Sequence, residues 1–233
     1  MQTQLRLFFT MIRWELLRVR RAQGMLRRAL FGLAIFCIWL VLTAVTLVWM
    51  FQWPLMLILL SLFPLVLLMG YVADSFAGER ERGTLETLLL APIPDWMIVC
   101  AKVVALELIA LLASAALLLA HALVAQIFSI TSLAPAWYLF AWYTGAVVAL
   151  IMICAGVIVS WSAASVQAAQ QLFAYIVVGL SVLLLLYGYL PTAVVQYVAR
   201  LDLSLVAAAG TGAAIILLIL VIVLFRRDRL LLR

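Results

Sequence analysis

The chain has 233 residues, 70% of them hydrophobic and only 10% charged, against about 25% charged in a typical soluble domain. At a mean hydropathy of +1.30, a water-soluble fold of this length has no room to hide so much apolar surface, so the bilayer is the solvent. The formal charge of +6 raises nucleic acid as a partner, but the placement of the basic residues assigns that charge to the membrane surface.

Residues 1–28 carry seven arginines (Arg6, Arg13, Arg18, Arg20, Arg21, Arg27 and Arg28). Within them, Leu5, Phe8, Phe9, Ile12, Leu16 and Val19 follow the i, i+3, i+4, i+7 pattern of an amphipathic helix. Arg6, Arg13 and Arg20 recur every seven residues on another face. Such a helix lies in the membrane interface, its apolar side in the acyl boundary and its arginines at the phosphates. The apolar run that follows is too long for a signal peptide, so a retained first span is expected over 29–50.

Further runs long enough to cross hydrocarbon fall at 55–73, 97–128, 136–160, 172–190 and 205–225. These runs are continuously apolar, unlike the alternating strands of a barrel. The expected fold is therefore all-α: a single polytopic membrane domain over 1–233 with six transmembrane helices. Pro64 is expected to kink the second span. After the fifth, Pro191 stops the helix, and a short re-entrant or surface helix is expected over 188–204.

With six spans, every basic residue except Arg200 falls on one side. By the positive-inside rule that side is the cytoplasm, which places both termini there in the cell membrane. The arginines then face anionic lipid, with no need of nucleic acid. Small residues such as Gly145 with Ala149, or Gly210 with Thr211, allow close helix packing.

No P-loop, HExxH or GxSxG motif occurs, so no ATP site of that kind and no enzyme of those classes is expected in this chain. Cys37, Cys100 and Cys154 are widely spaced and read as small buried hydrophobes. His121 is the sole histidine, which excludes a multi-histidine metal site and leaves a polar packing role. Glu107 lies five residues beyond Lys102, about 7 Å deeper along a helix. It fits a translocation path or helix pairing, and equally a carboxylate pairing near the surface. Asp74 ends the second span. The polar, uncharged stretch 160–171 reads as a second cytoplasmic connection with a helical turn or two.

The stretch "ERERGTLETLLLAPIPDW", residues 79–96, interrupts two long apolar runs with charge. Gly83 permits a reversal of chain direction. Thr84 is expected to cap a short helix through its hydroxyl, with Glu86 at the positive end of its dipole. Leu85, Leu88 and Leu89 share one face, Pro92 and Pro94 end the helix, and Asp95 is placed to cap the third span. A short bracketed helix with apolar knobs and flanking charge is what a groove on another protein grips.

The wider segment "FAGERERGTLETLLLAPIPDWMIVCAK" resembles the region between the second and third spans of ABC-2 type transporter permeases. The resemblance is carried by Glu79, Glu81, Gly83, Thr84, Glu86, Leu88, Leu89, Pro92 and Lys102. It implies a compact six-span exporter subunit whose coupling helix, within residues 79–95, docks on a separate ABC ATPase that holds ATP and Mg. It also implies a second permease protomer, identical or different, and no cofactor in this chain. Glu79, Arg80, Glu81, Arg82 and Glu86 would then make the polar contacts to the ATPase, and Leu85, Leu88 and Leu89 the apolar ones. The rival from another class is a non-transporting scaffold that holds a cytoplasmic partner with the same helix.

Overall fold

The computed structural model describes residues 2–21, 54–128, 134–188 and 203–225. They form eight α-helices and, among the described residues, no strand. In chain order these are α1 (Gln2–Arg21), α2 (Pro54–Asp74), α3 (Ala77–Glu81), α4 (Leu85–Leu90), α5 (Asp95–Ile127), α6 (Pro135–Ser162), α7 (Val166–Gly188) and α8 (Leu203–Leu224). The expected first span at 29–50 and the expected surface helix at 188–204 lie outside the described residues, apart from Gly188 and the start of α8.

Helix α5, helix α6 and the Ala207–Leu224 part of α8 are long and apolar enough to cross a membrane. A fourth crossing is available in α2, where Leu57–Val66 and Leu68–Asp74 meet at 43°, within a turn of Pro64. The chain is thus helical and membrane-integral, while the count of six remains a reading of the sequence. Helix α7 begins at Val166 rather than near 172, so the polar residues up to Gln171 are already helical.

The chain divides into two units. The first comprises residues 1–71 and 100–150. In it Leu57, Leu60, Leu117, Leu118, Ala125 and Ala141 form a core shared by α2, α5 and α6. Gly145 sits so close to α2 that a Cβ there would lie 2.6 Å from Ser61 Oγ. The small residue at 145 therefore serves packing within the chain. His121 is buried, with Nδ1 3.1 Å from the Tyr138 hydroxyl, consistent with the packing role expected for it.

Helix α1 also belongs to this unit. Ile12 is buried with Ala101 and Ala105, and Phe8, Met11, Leu16 and Val104 surround them. Much of the apolar face expected to enter the acyl boundary is therefore spent on α5. Lys102, 2% exposed, donates to Glu15 Oε1 at 2.8 Å. The outward side of α1 keeps Arg6 and Arg13, with Phe9 and Trp14 exposed beside them.

The second unit comprises residues 72–99 and 151–233. Its small-residue core joins Ala73 and Ala77 to Ala163 and Ala169. Phe76, Trp161 and Phe225 form an aromatic cluster with centroids 5.3–6.4 Å apart. Alanines allow the backbones to approach, and the rings fill the space beside them.

Candidate functional site

The interruption at residues 74–95 folds as an elbow of two short helices, α3 and α4, within the second unit. Its first helix starts without a side-chain cap of its own. The hydroxyl of Ser160 does the capping instead. Ser160 Oγ accepts from the N–H groups of Phe76 and Ala77 at 2.9 and 3.0 Å and donates to the Ala73 carbonyl at 2.7 Å. One buried hydroxyl thus satisfies three backbone groups that the end of α2 and the start of α3 leave open.

Helix α3 ends in a Schellman motif. The N–H of Gly83 reaches the Arg80 carbonyl at 3.0 Å, and that of Thr84 reaches the Glu79 carbonyl at 2.9 Å. The motif needs a left-handed residue after the cap, and Gly83 supplies it at φ +68°. Thr84 then turns its hydroxyl back onto the same Glu79 carbonyl, at 3.3 Å. Thr84 stands at the N-cap of α4 but makes no side-chain cap bond there. This corrects the expectation of a Thr84 hydroxyl cap: the hydroxyl is engaged by the preceding helix. At the far end Ala91 is extended, with ψ 142°, as a residue before proline must be. Asp95 is the first residue of α5.

The four consecutive charges are largely used within the chain. Arg80 donates to the Trp161 carbonyl at 2.8 Å and to the Ala163 carbonyl. Glu81 Oε1 accepts from the Val166 N–H at 2.7 Å, adding a negative charge at the N-terminus of α7. Ser165 caps that same end through the Ala168 N–H. Arg82 forks onto both oxygens of Asp74, at 2.9 and 3.1 Å. Gly78 makes room for this pair, since a Cβ there would overlap Asp74 Oδ1. Glu79 is buried at 4% exposure.

The apolar stripe of α4 also faces inward. Leu85 and Leu89 are buried and Leu88 is half-buried. The outward face instead carries Thr84, Glu86, Thr87 and Leu90, the last 77% exposed. Leu85 and Leu89, expected to meet a partner, are buried within their own chain, and Leu90 is the leucine exposed on the outward face. Of the other expected residues, Glu81, Arg82, Gly83 and Glu86 are exposed on the elbow. Glu107 belongs to the first unit, half-buried on α5, and its Oε2 has no hydrogen-bond partner among the described residues.

Sequence reasoning missed Ser160, Trp161, Ala163 and Val166. The only signal for them was the unusual polarity of a short, uncharged connection. Searches of curated proteins and of solved structures find no match to this chain. The sequence family described as ABC-2 family transporter protein matches residues 55–205, which takes in α2 through α7 and the whole elbow. The chain belongs to the ABC-2 family and is a membrane permease of ABC transporters.

Proposed function

We propose that the chain is the membrane subunit of an ATP-driven exporter and that helix α4 is its contact with the ATPase. ATP and Mg are held by that separate subunit, and two permease protomers surround the substrate path. The elbow faces the cytoplasm, together with both chain termini. Binding and hydrolysis move α4, and the spans on either side carry the movement to the path. Glu107 is a polar group on that path or at a helix pairing beside it.

The observation that carries this reading is the division of labour in α4. Leu85 and Leu89 anchor it, while Thr84, Glu86, Thr87 and Leu90 are offered outward. On this outward face Leu90, 77% exposed, stands with Glu86, and an apolar knob flanked by a carboxylate suits a groove on a partner protein.

The test is co-purification of the permease with its ATPase subunit after Leu90→Asp combined with Glu86→Lys. The expected result is loss of the complex with unchanged helical content. An intact complex retaining nucleotide-responsive coupling overturns the assignment of this face. A co-purifying partner that binds no ATP establishes the scaffold reading instead.

A further inference from the structure

We infer that the connection between α6 and α7 is a second arm of the coupling device, and that Arg80, Glu81 and Ser160 are positioning residues which carry movement of the elbow into it. The inference rests on the reading of α4 as the ATPase contact and extends it to helices that α4 does not adjoin in sequence.

Helix α4 follows α3 through Gly83 and Thr84, and two main-chain hydrogen bonds lock that turn. A push on α4 therefore reaches α3 as a lever, not through a slack loop. Helix α3 is fastened to residues 160–166 at three separate points. Ser160 grips its first turn through Phe76 N–H and Ala77 N–H. Arg80 holds the carbonyls of Trp161 and Ala163 in one planar fork. Glu81 holds the first N–H of α7.

The three fastenings are of different kinds and lie on both ends of a five-residue helix. A single hydrogen bond gives way under load, whereas the two charge-assisted contacts are stronger and geometrically specific. Beneath them Ala77 is buried against Ala163 and Ala169, so the backbones touch with little side chain between them. Phe76 adds ring contacts to Trp161 and to Phe225 at the end of α8. The elbow cannot rotate without dragging the end of α6 and the start of α7.

The consequence separates this inference from simple transmission along the chain. Movement that travelled only through covalent continuity would enter α2 and α5 alone. Movement through the strap enters α6 and α7 together with them.

The experiment is hydrogen–deuterium exchange on the permease–ATPase complex in nanodiscs, with and without ATP and vanadate. In the unaltered complex, nucleotide trapping is expected to change exchange in peptides covering both 77–91 and 164–172. In the Arg80→Ala/Glu81→Ala complex the change at 77–91 persists and the change at 164–172 is lost. A merely structural role shifts exchange at 164–172 equally in both nucleotide conditions and leaves the difference between them intact, which overturns the inference. Should the double variant fail to assemble, Glu81→Ala alone removes an exposed side chain and its bond to the Val166 N–H, and gives the same contrast in weaker form. An unaltered complex whose 77–91 peptides ignore nucleotide overturns the docking reading, and this inference with it. A response at 77–91 with none at 164–172 overturns this inference only.

Discussion

The ion pair between Lys102 and Glu15 makes a prediction whose asymmetry can be worked out. Lys102 is 2% exposed and Glu15 15% exposed, and Glu15 also lies 3.5 Å from Arg18. Removing one member of a buried pair costs about 3–5 kcal/mol, because the other charge remains in low dielectric. Glu15→Gln leaves the deeper ammonium facing a neutral amide. Its cost falls at the low end, about 3 kcal/mol, since the amide oxygen still accepts a hydrogen bond. Lys102→Met leaves the carboxylate, which reaches solvent more easily and keeps Arg18, so its cost is about 1–2 kcal/mol. The loss is local, because the pair pins α1 to α5 beside the small cluster around Ile12. The assay is trypsin cleavage after Arg13 in the detergent-solubilised protein, under conditions where α1 recloses faster than it is cut. At about 1.4 kcal/mol per decade, Glu15→Gln speeds cleavage about 100-fold and Lys102→Met about 10-fold. Equal rates, or the reverse order, refute the argument that burial depth decides the cost.

Ser160→Ala strands two buried N–H groups and a carbonyl at once, so a loss of about 3 kcal/mol is expected in the unfolding of the purified chain; less than 1 kcal/mol means that water replaces the hydroxyl. Gly83→Ala forces a side chain into the left-handed region and costs about 1 kcal/mol, whereas Gly212→Ala, in a helix with nothing within 4 Å of the added Cβ, stabilises by about 0.5 kcal/mol; thermal unfolding of the two variants should move in opposite directions. Gly145→Leu drives a side chain into Ser61 and costs about 1–3 kcal/mol by overpacking, and its unfolding temperature should fall clearly below that of Gly145→Ala.

The spanning helices were legible because hydrophobicity in a bilayer is a nearly direct reading of where the chain sits. The observed α2, α5, α6 and α8 begin and end within a few residues of the expected runs. The start of α7 was not legible for the same reason. Hydropathy marks the depth at which residues enter hydrocarbon, while the helix begins where its N–H groups are satisfied. Glu81 and Ser165 satisfy them at Val166 and Ala168 respectively, and the polar turn that follows is helix outside the apolar run. Helix α1 was legible as amphipathic but not in what its apolar side would touch. Periodicity gives a face, and both lipid and the wall of α5 accept the same face.

The elbow shows most clearly what such a pattern leaves open. Charges beside a short apolar helix look outward, because the usual reason for a charge is water or a partner. Here Arg80 and Glu81 find their partners in main-chain atoms of residues 161–166. A carbonyl or an N–H carries no side-chain signature, so no pattern in the sequence marks it as the receiver. The same blindness reversed the leucines. Leu85, Leu88 and Leu89 form a stripe by spacing alone, and spacing does not say whether the stripe meets its own chain or a partner; Leu85 and Leu89 are buried within the chain. With Glu79 also buried, much of the motif by which the elbow resembles its family is spent on building the elbow. On the proposed reading, the set left for a partner is smaller: Thr84, Glu86, Thr87 and Leu90. Variants in the anchored set should therefore disturb the chain itself, while variants in the outward set should disturb only what it binds.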